Sequence, residues 1–164
     1  MIFLIRFFIF ILFLLSSFNA AANDNETIIE IDQPRFSEKG LNEKSFEIKA
    51  EKGLKVDNDL WLYEVEGKFK TDNGVWIYLY AKKGNYFQEE MLIELVNEIS
   101  FYTEYDDEIT AEQAIFDMKN DIITFNDKVQ HKQDINIINC DKITITNNYE
   151  NIKYTGNVLT RITR

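Results

Sequence analysis

Val75-Trp76-Ile77-Tyr78-Leu79-Tyr80-Ala81 alternates strictly, with aliphatic or small residues at odd positions and aromatic rings at even ones. A period of two sends successive side chains to opposite faces, so the stretch predicts a strand with its odd residues turned inward. Working outward, Phe46-Glu47-Ile48-Lys49-Ala50 follows the same rule, and β-branched and aromatic residues dominate past Glu26. No stretch offers an amphipathic helix of three turns. Glu89–Val96 comes nearest, but Ile93, Leu95, Ile99 and Phe101 share one parity, which predicts a strand there too.

The chain also repeats itself. An aliphatic-x-small step recurs as Ile48-x-Ala50, Leu79-x-Ala81, Ile109-x-Ala111 and Ile138-x-Cys140, with the small residues 31, 30 and 29 positions apart. A second signature, apolar-x-(Gly/Asn/Asp)-x-apolar, is centred on Gly67, Asn97, Asp127 and Gly156, at spacings of 30, 30 and 29. Two independent signatures sharing one period predict four stacked units of about 30 residues.

Gly, Asn and Asp are the residues that best tolerate positive φ, and here they fall inside apolar strands where they weaken a ladder. Gly67, Asn97, Asp127 and Gly156 are therefore expected as bends or bulges that curve the sheet around a trough. An ordinary tight turn is the alternative. Ala50, Ala81, Ala111 and Cys140 share parity with the aliphatic residues and are expected inward, with Cys140 acting as a small buried hydrophobe.

Bulk properties narrow the function. Hydrophobic residues make up 45% and aromatics 14%, enough for one folded domain, expected over residues 23–164. The formal charge is −10, and removing residues 1–22, which hold Arg6 and no acid, leaves 17 basic against 28 acidic side chains. Such a surface repels a phosphate backbone, so nucleic acid is not an expected partner. The single cysteine forbids an intramolecular disulfide, so the core alone must hold the fold.

Residues 1–22 read as a hydrophobic segment, with Arg6 ahead of an apolar run that includes Phe7, Leu12 and Leu15. Two readings stand. Ala20-x-Ala22 suits leader-peptidase cleavage, and the run from Ile2 onward also suits a single-span anchor helix. In either case the remainder is expected outside the cytoplasm.

Several motifs, taken in order, resemble the LptC family of lipopolysaccharide-export proteins, within the wider OstA/LptA-like β-jelly-roll superfamily. They are the hydrophobic N-terminus, Pro34-Arg35-Phe36-x₃-Gly40, Phe46-x-Ile48-x-Ala50, Asp72-Asn73-Gly74-x-Trp76, Ala81-x₂-Gly84-x-Tyr86 and Gly156-Asn157-Val158. Asn97 and Asp127 depart from the family's more usual glycine. The resemblance implies an all-β, open, twisted jelly roll of two facing antiparallel sheets in a V, whose apolar interior holds lipopolysaccharide acyl chains. It further implies an inner-membrane protein with its C-terminal domain in the periplasm. The protein would receive lipid from an LptB–LptF–LptG transporter and pass it to an LptA-like protein by edge-strand pairing. Unpaired edges suit strand addition, with Thr27–Ile31 expected at one end and Thr144–Thr146 and Tyr154–Ile162 at the other.

By parity, the expected trough residues are Ile48, Ala50, Ile77, Leu79, Ala81, Ile93, Leu95, Ile99, Phe101, Ile109, Ala111, Ile123, Phe125 and Tyr154. Lys82 and Lys83 are the lysines expected to meet lipid phosphate. A soluble LptA-like bridge is the neighbouring alternative, and a saccharide-cleaving jelly-roll enzyme the alternative of another class. Such an enzyme needs two carboxylates across a cleft, whereas Glu47, Glu51, Glu94 and Glu98 have outward parity. His131 lies in a polar stretch, Lys128–Asp134, expected as a solvated turn, and no nucleophile motif accompanies it. Asp57-Asn58-Asp59 and Asp106-Asp107-Glu108 lack the spacing of a cation loop. No catalytic residue, metal or cofactor is expected.

Overall fold

A computed structural model describes residues 28–39, 45–56, 59–71, 74–147 and 149–162. The hydrophobic segment with Phe7, Leu12 and Leu15 lies outside the described residues, as do Gly40 and Asp72-Asn73. Eleven strands form one open antiparallel sheet, and no helix occurs among the described residues.

The strands are β1 (Ile28–Asp32), β2 (Arg35–Lys39), β3 (Ser45–Val56), β4 (Asp59–Lys70), β5 (Trp76–Phe87), β6 (Leu92–Thr103), β7 (Asp107–Asp117), β8 (Ile122–Gln133), β9 (Asn136–Thr146), β10 (Asn151–Thr155) and β11 (Leu159–Arg161). From β3 to β9 the chain runs as a meander of 11- or 12-residue strands, each paired with its neighbours in sequence. Residues 88–91 form the turn before β6, so the expected strand begins at Leu92 rather than Glu89.

The short strands reveal how the sheet is divided. β2 pairs with residues 45–49 of β3 and β1 with residues 52–56, while β11 pairs with 137–139 of β9 and β10 with 142–146. Each long strand is therefore two half-strands. The ladders starting at β2 run through to β11 (layer 1), and those starting at β1 run through to β10 (layer 2). Rings from the two layers meet. Phe101 of layer 1 lies 6.0 Å from Phe116 and 5.3 Å from Phe125 of layer 2, and Phe36 lies 5.3 Å from Tyr86. The core is the space between the layers.

Corners join the halves. Asn97 (φ 66°) and Glu98 (52°) turn β6, Asp127 (60°) and Lys128 (52°) turn β8, and Gly156 (70°) and Asn157 (43°) follow β10. The register of the β6 and β8 ladders shifts at these corners, as a bulge requires. Gly67 departs from expectation. Its φ is not positive, and it pairs regularly with Ile48 and Leu79, while the left-handed residue of β4 is Glu64 (52°). Gly67 serves close packing instead, since a Cβ there would lie 3.3 Å from Leu79 Cδ2.

Candidate functional site

The interior is built by alternation interrupted at the corners. Ile77, Leu79 and Ala81 of β5 face inward, as do Ile99 and Phe101 of β6 and Ile109 and Ala111 of β7. Ile48 and Ala50 of β3 belong to the same layer, and Ile93, Leu95 and Phe125 stand across from them. All of these expected trough residues are buried, whereas Ile123 and Tyr154 are partly buried and packed against the cluster. Phe101 is its centre, touching the rings of Phe69, Phe116, Phe125 and Tyr149 at 5.3–6.0 Å.

Simple parity missed Leu62, Val65, Ala114, Phe116, Val129, Ile143 and Ile145, all buried. The inward parity reverses at the corner, from Ala81 to Gly84, from Ala111 to Ala114 and from Cys140 to Ile143. The signal was present in the small residues. Each is the last inward position of its half-strand, so the inward series restarts three residues later. Gly84 is required there, because a Cβ would meet Leu95 Cδ2 at 2.9 Å and the Glu94 carbonyl oxygen at 3.3 Å.

The outer faces are polar. Lys49 pairs with Glu66 at 2.7 Å, Lys68 with Glu47 at 3.0 Å and Lys82 with Glu64 at 2.8 Å, each across neighbouring strands. The Lys82 ammonium and the Tyr80 hydroxyl, which donates to Glu64 at 2.7 Å, hold the Glu64 carboxyl below its usual range. Lys83 lies 4.3 Å over the Trp61 ring. Lys82 and Lys83 thus sit on the outside, away from the interior. Glu51, Glu94 and Glu98 are exposed. Among the described residues no group of three or more His, Cys, Asp or Glu is arranged to hold a metal ion.

His131 corrects the sequence reading. It is 1% exposed within β8, not in a solvated turn. Its Nε2 meets the Asp107 carboxylate, and its Nδ1 lies 2.5 Å from the Tyr154 hydroxyl. A carboxylate can only accept, so Nε2 carries the hydrogen, and in the neutral ring Nδ1 accepts from Tyr154. Tyr149 stands beside them. Burial first and the Asp107 carboxylate second push its phenol well above the ordinary value. The same two causes, in the same order, raise Tyr154. Burial likewise raises the Cys140 thiol, in keeping with a packing role.

The edges are the other accessible feature. Among the described residues, β1 and β2 leave one side unpaired, as do β10 and β11. Thr144–Thr146, expected at an edge, lie instead between β8 and β10. Ile28, Val158, Leu159 and Ile162 are exposed apolar residues at or beside these edges.

This arrangement places an apolar interior, filled by its own side chains, between two open-edged layers. Residues 108–162 match the family model described as LptA/(LptD N-terminal domain) LPS transport protein. The match spans nearly all of β7 and everything through β11, and it supports a place in the LptA/OstA-like group of LPS transport proteins. That group is a transport family rather than an enzyme family. No curated protein matches the chain.

Proposed function

We propose that this protein carries lipopolysaccharide through the periplasm in an LptC-like position, its two layers forming a jelly roll that shelters the acyl chains. The observation that carries the reading is the continuous apolar interior lined by Ile77, Leu79, Ile99, Phe101, Ile109 and Phe125, in a chain whose C-terminal third resembles LPS transport proteins. Burying acyl surface yields about 0.8 kcal/mol per CH₂, so a few methylenes outweigh the repulsion between lipid phosphate and an acidic exterior.

In this reading the lipid arrives from an LptB–LptF–LptG transporter and leaves to an LptA-like protein. The unpaired edges of β1 and β2 and of β10 and β11 supply the backbone for strand addition at the two ends. Residues 1–22 serve as the single inner-membrane span, and the intact mass of membrane-fraction protein checks this, because loss of the segment would make the protein a soluble LptA-like bridge.

Binding of intact and deacylated lipopolysaccharide to the purified protein tests the main reading. Retention of the acylated form alone is expected. Equal retention of the deacylated saccharide would move recognition to the outer surface and overturn the reading.

A further inference from the structure

β10 is the edge strand of layer 2, five residues long and paired only to β9. Left-handed residues bound it on both sides, Asn147 (55°) and Tyr149 (73°) before it and Gly156 (70°) and Asn157 (43°) after it. The corner beyond it is fastened separately. The Asn157 side-chain amide donates to Asp141 Oδ2 at 2.8 Å, and the Asp141 N–H donates to the Gly156 carbonyl at 3.0 Å. β10 thus lies between two turns, one anchored to β9 without its help.

What holds β10 toward layer 1 differs from the other ring contacts between layers. Phe69–Phe116, Phe101–Phe116, Phe101–Phe125 and Phe36–Tyr86 are ring-on-ring packing. Tyr154 of β10 instead stacks on His131 of layer 1, with 19° between ring planes, and donates its hydroxyl to the imidazole that Asp107 orients. A hydrogen bond broken on opening is replaced by one to water, whereas lost dispersion contacts between close-packed rings find no equal substitute. Of these ring contacts between layers, this is the one completed by a hydrogen bond, and Ile152 is the other β10 side chain packed on the core.

We propose that Asp107–His131–Tyr154 is a releasable clasp, which holds β10 down over the C-terminal end of the apolar interior. When it parts, β10 lifts away and opens the interior along this edge, while Tyr149 stays packed on Phe101 and β3 through β9 stay paired. The titratable groups around it are Asp107 from β7, Tyr149 from the turn, Cys140 from β9 and Tyr154 itself. The opening does not depend on which molecule enters, so it stands apart from the lipid reading.

Native-state hydrogen exchange on the full chain tests the clasp without any ligand. In Tyr154→Phe, which deletes one hydroxyl, amides of Asn151–Thr155 should exchange at least tenfold faster than in the parent, with β4–β6 unchanged. His131→Gln should show the same local pattern. Thr144 and Lys153 stand opposite in the register, so the pair Thr144→Cys/Lys153→Cys, oxidised in a Cys140→Ala background, should return Tyr154→Phe to the parental rate. Equal acceleration in β4–β6 would reduce the cluster to general stabilisation, and unchanged exchange in β10 would remove the clasp altogether. Either result overturns the proposal.

Discussion

Asn97 holds φ at 66° inside an otherwise extended strand, a conformation costing an ordinary L-residue about 1–2 kcal/mol that Asn partly escapes. Asn97→Ala should therefore lower stability by about 1 kcal/mol in urea titration, while Asn97→Gly stays within about 0.5 kcal/mol of the parent. Tyr149 makes a different prediction. Its folded phenol binds its proton more tightly than the unfolded one, because of burial and then Asp107. The resulting stability is fully present below the unfolded value of about 10 and is lost as pH rises above it toward the folded pKa. Urea midpoints should fall from about pH 10 upward, and Tyr149→Phe should flatten part of that fall. An unchanged alkaline limb in Tyr149→Phe would place the titration elsewhere.

Among the elements, β5 was the easiest to read, since Ile77, Leu79 and Ala81 alternate with Trp76, Tyr78 and Tyr80 on a single pleated surface. The second half of the same strand was harder. A corner flips the inward parity after Ala81, so Gly84 rather than Lys83 faces the core. Positive-φ residues at Asn97, Asp127 and Gly156 were anticipated by residue type, but Gly67 was not distinguishable from them, because sequence cannot tell a glycine needed for φ from one needed for space. His131 was hidden by its polar neighbours, whose outward alternation masks the inward Val129 and His131 between them. Its partners come from strands distant in sequence, which local pattern does not reveal. At this scale the ring cluster sets the packing. Phe101 is fully buried against four aromatic neighbours, so Phe101→Ala should cost about 3–5 kcal/mol, read as a lower urea midpoint with unchanged slope. A cost below about 1 kcal/mol would mean that the layers close without it.

In the whole molecule, one sheet bent along a line of corners produces two layers, an apolar interior and two pairs of free edges. Closing such a sheet into a barrel would remove the edges and the means of joining to a neighbour. Leaving it open keeps the edges, which the proposed function uses for strand addition. The outer faces carry cross-strand ion pairs such as Lys49–Glu66 and Lys82–Glu64. The central claim is that lipid occupies the space between the layers. Site-specific photo-crosslinking in cells tests it most directly, with the probe at inward Leu79 or Phe101 and, for comparison, at outward Tyr80 or Glu94. Lipopolysaccharide adducts at the inward pair, and few or none at the outward pair, are the predicted result; adducts confined to Tyr80 and Glu94 would contradict it.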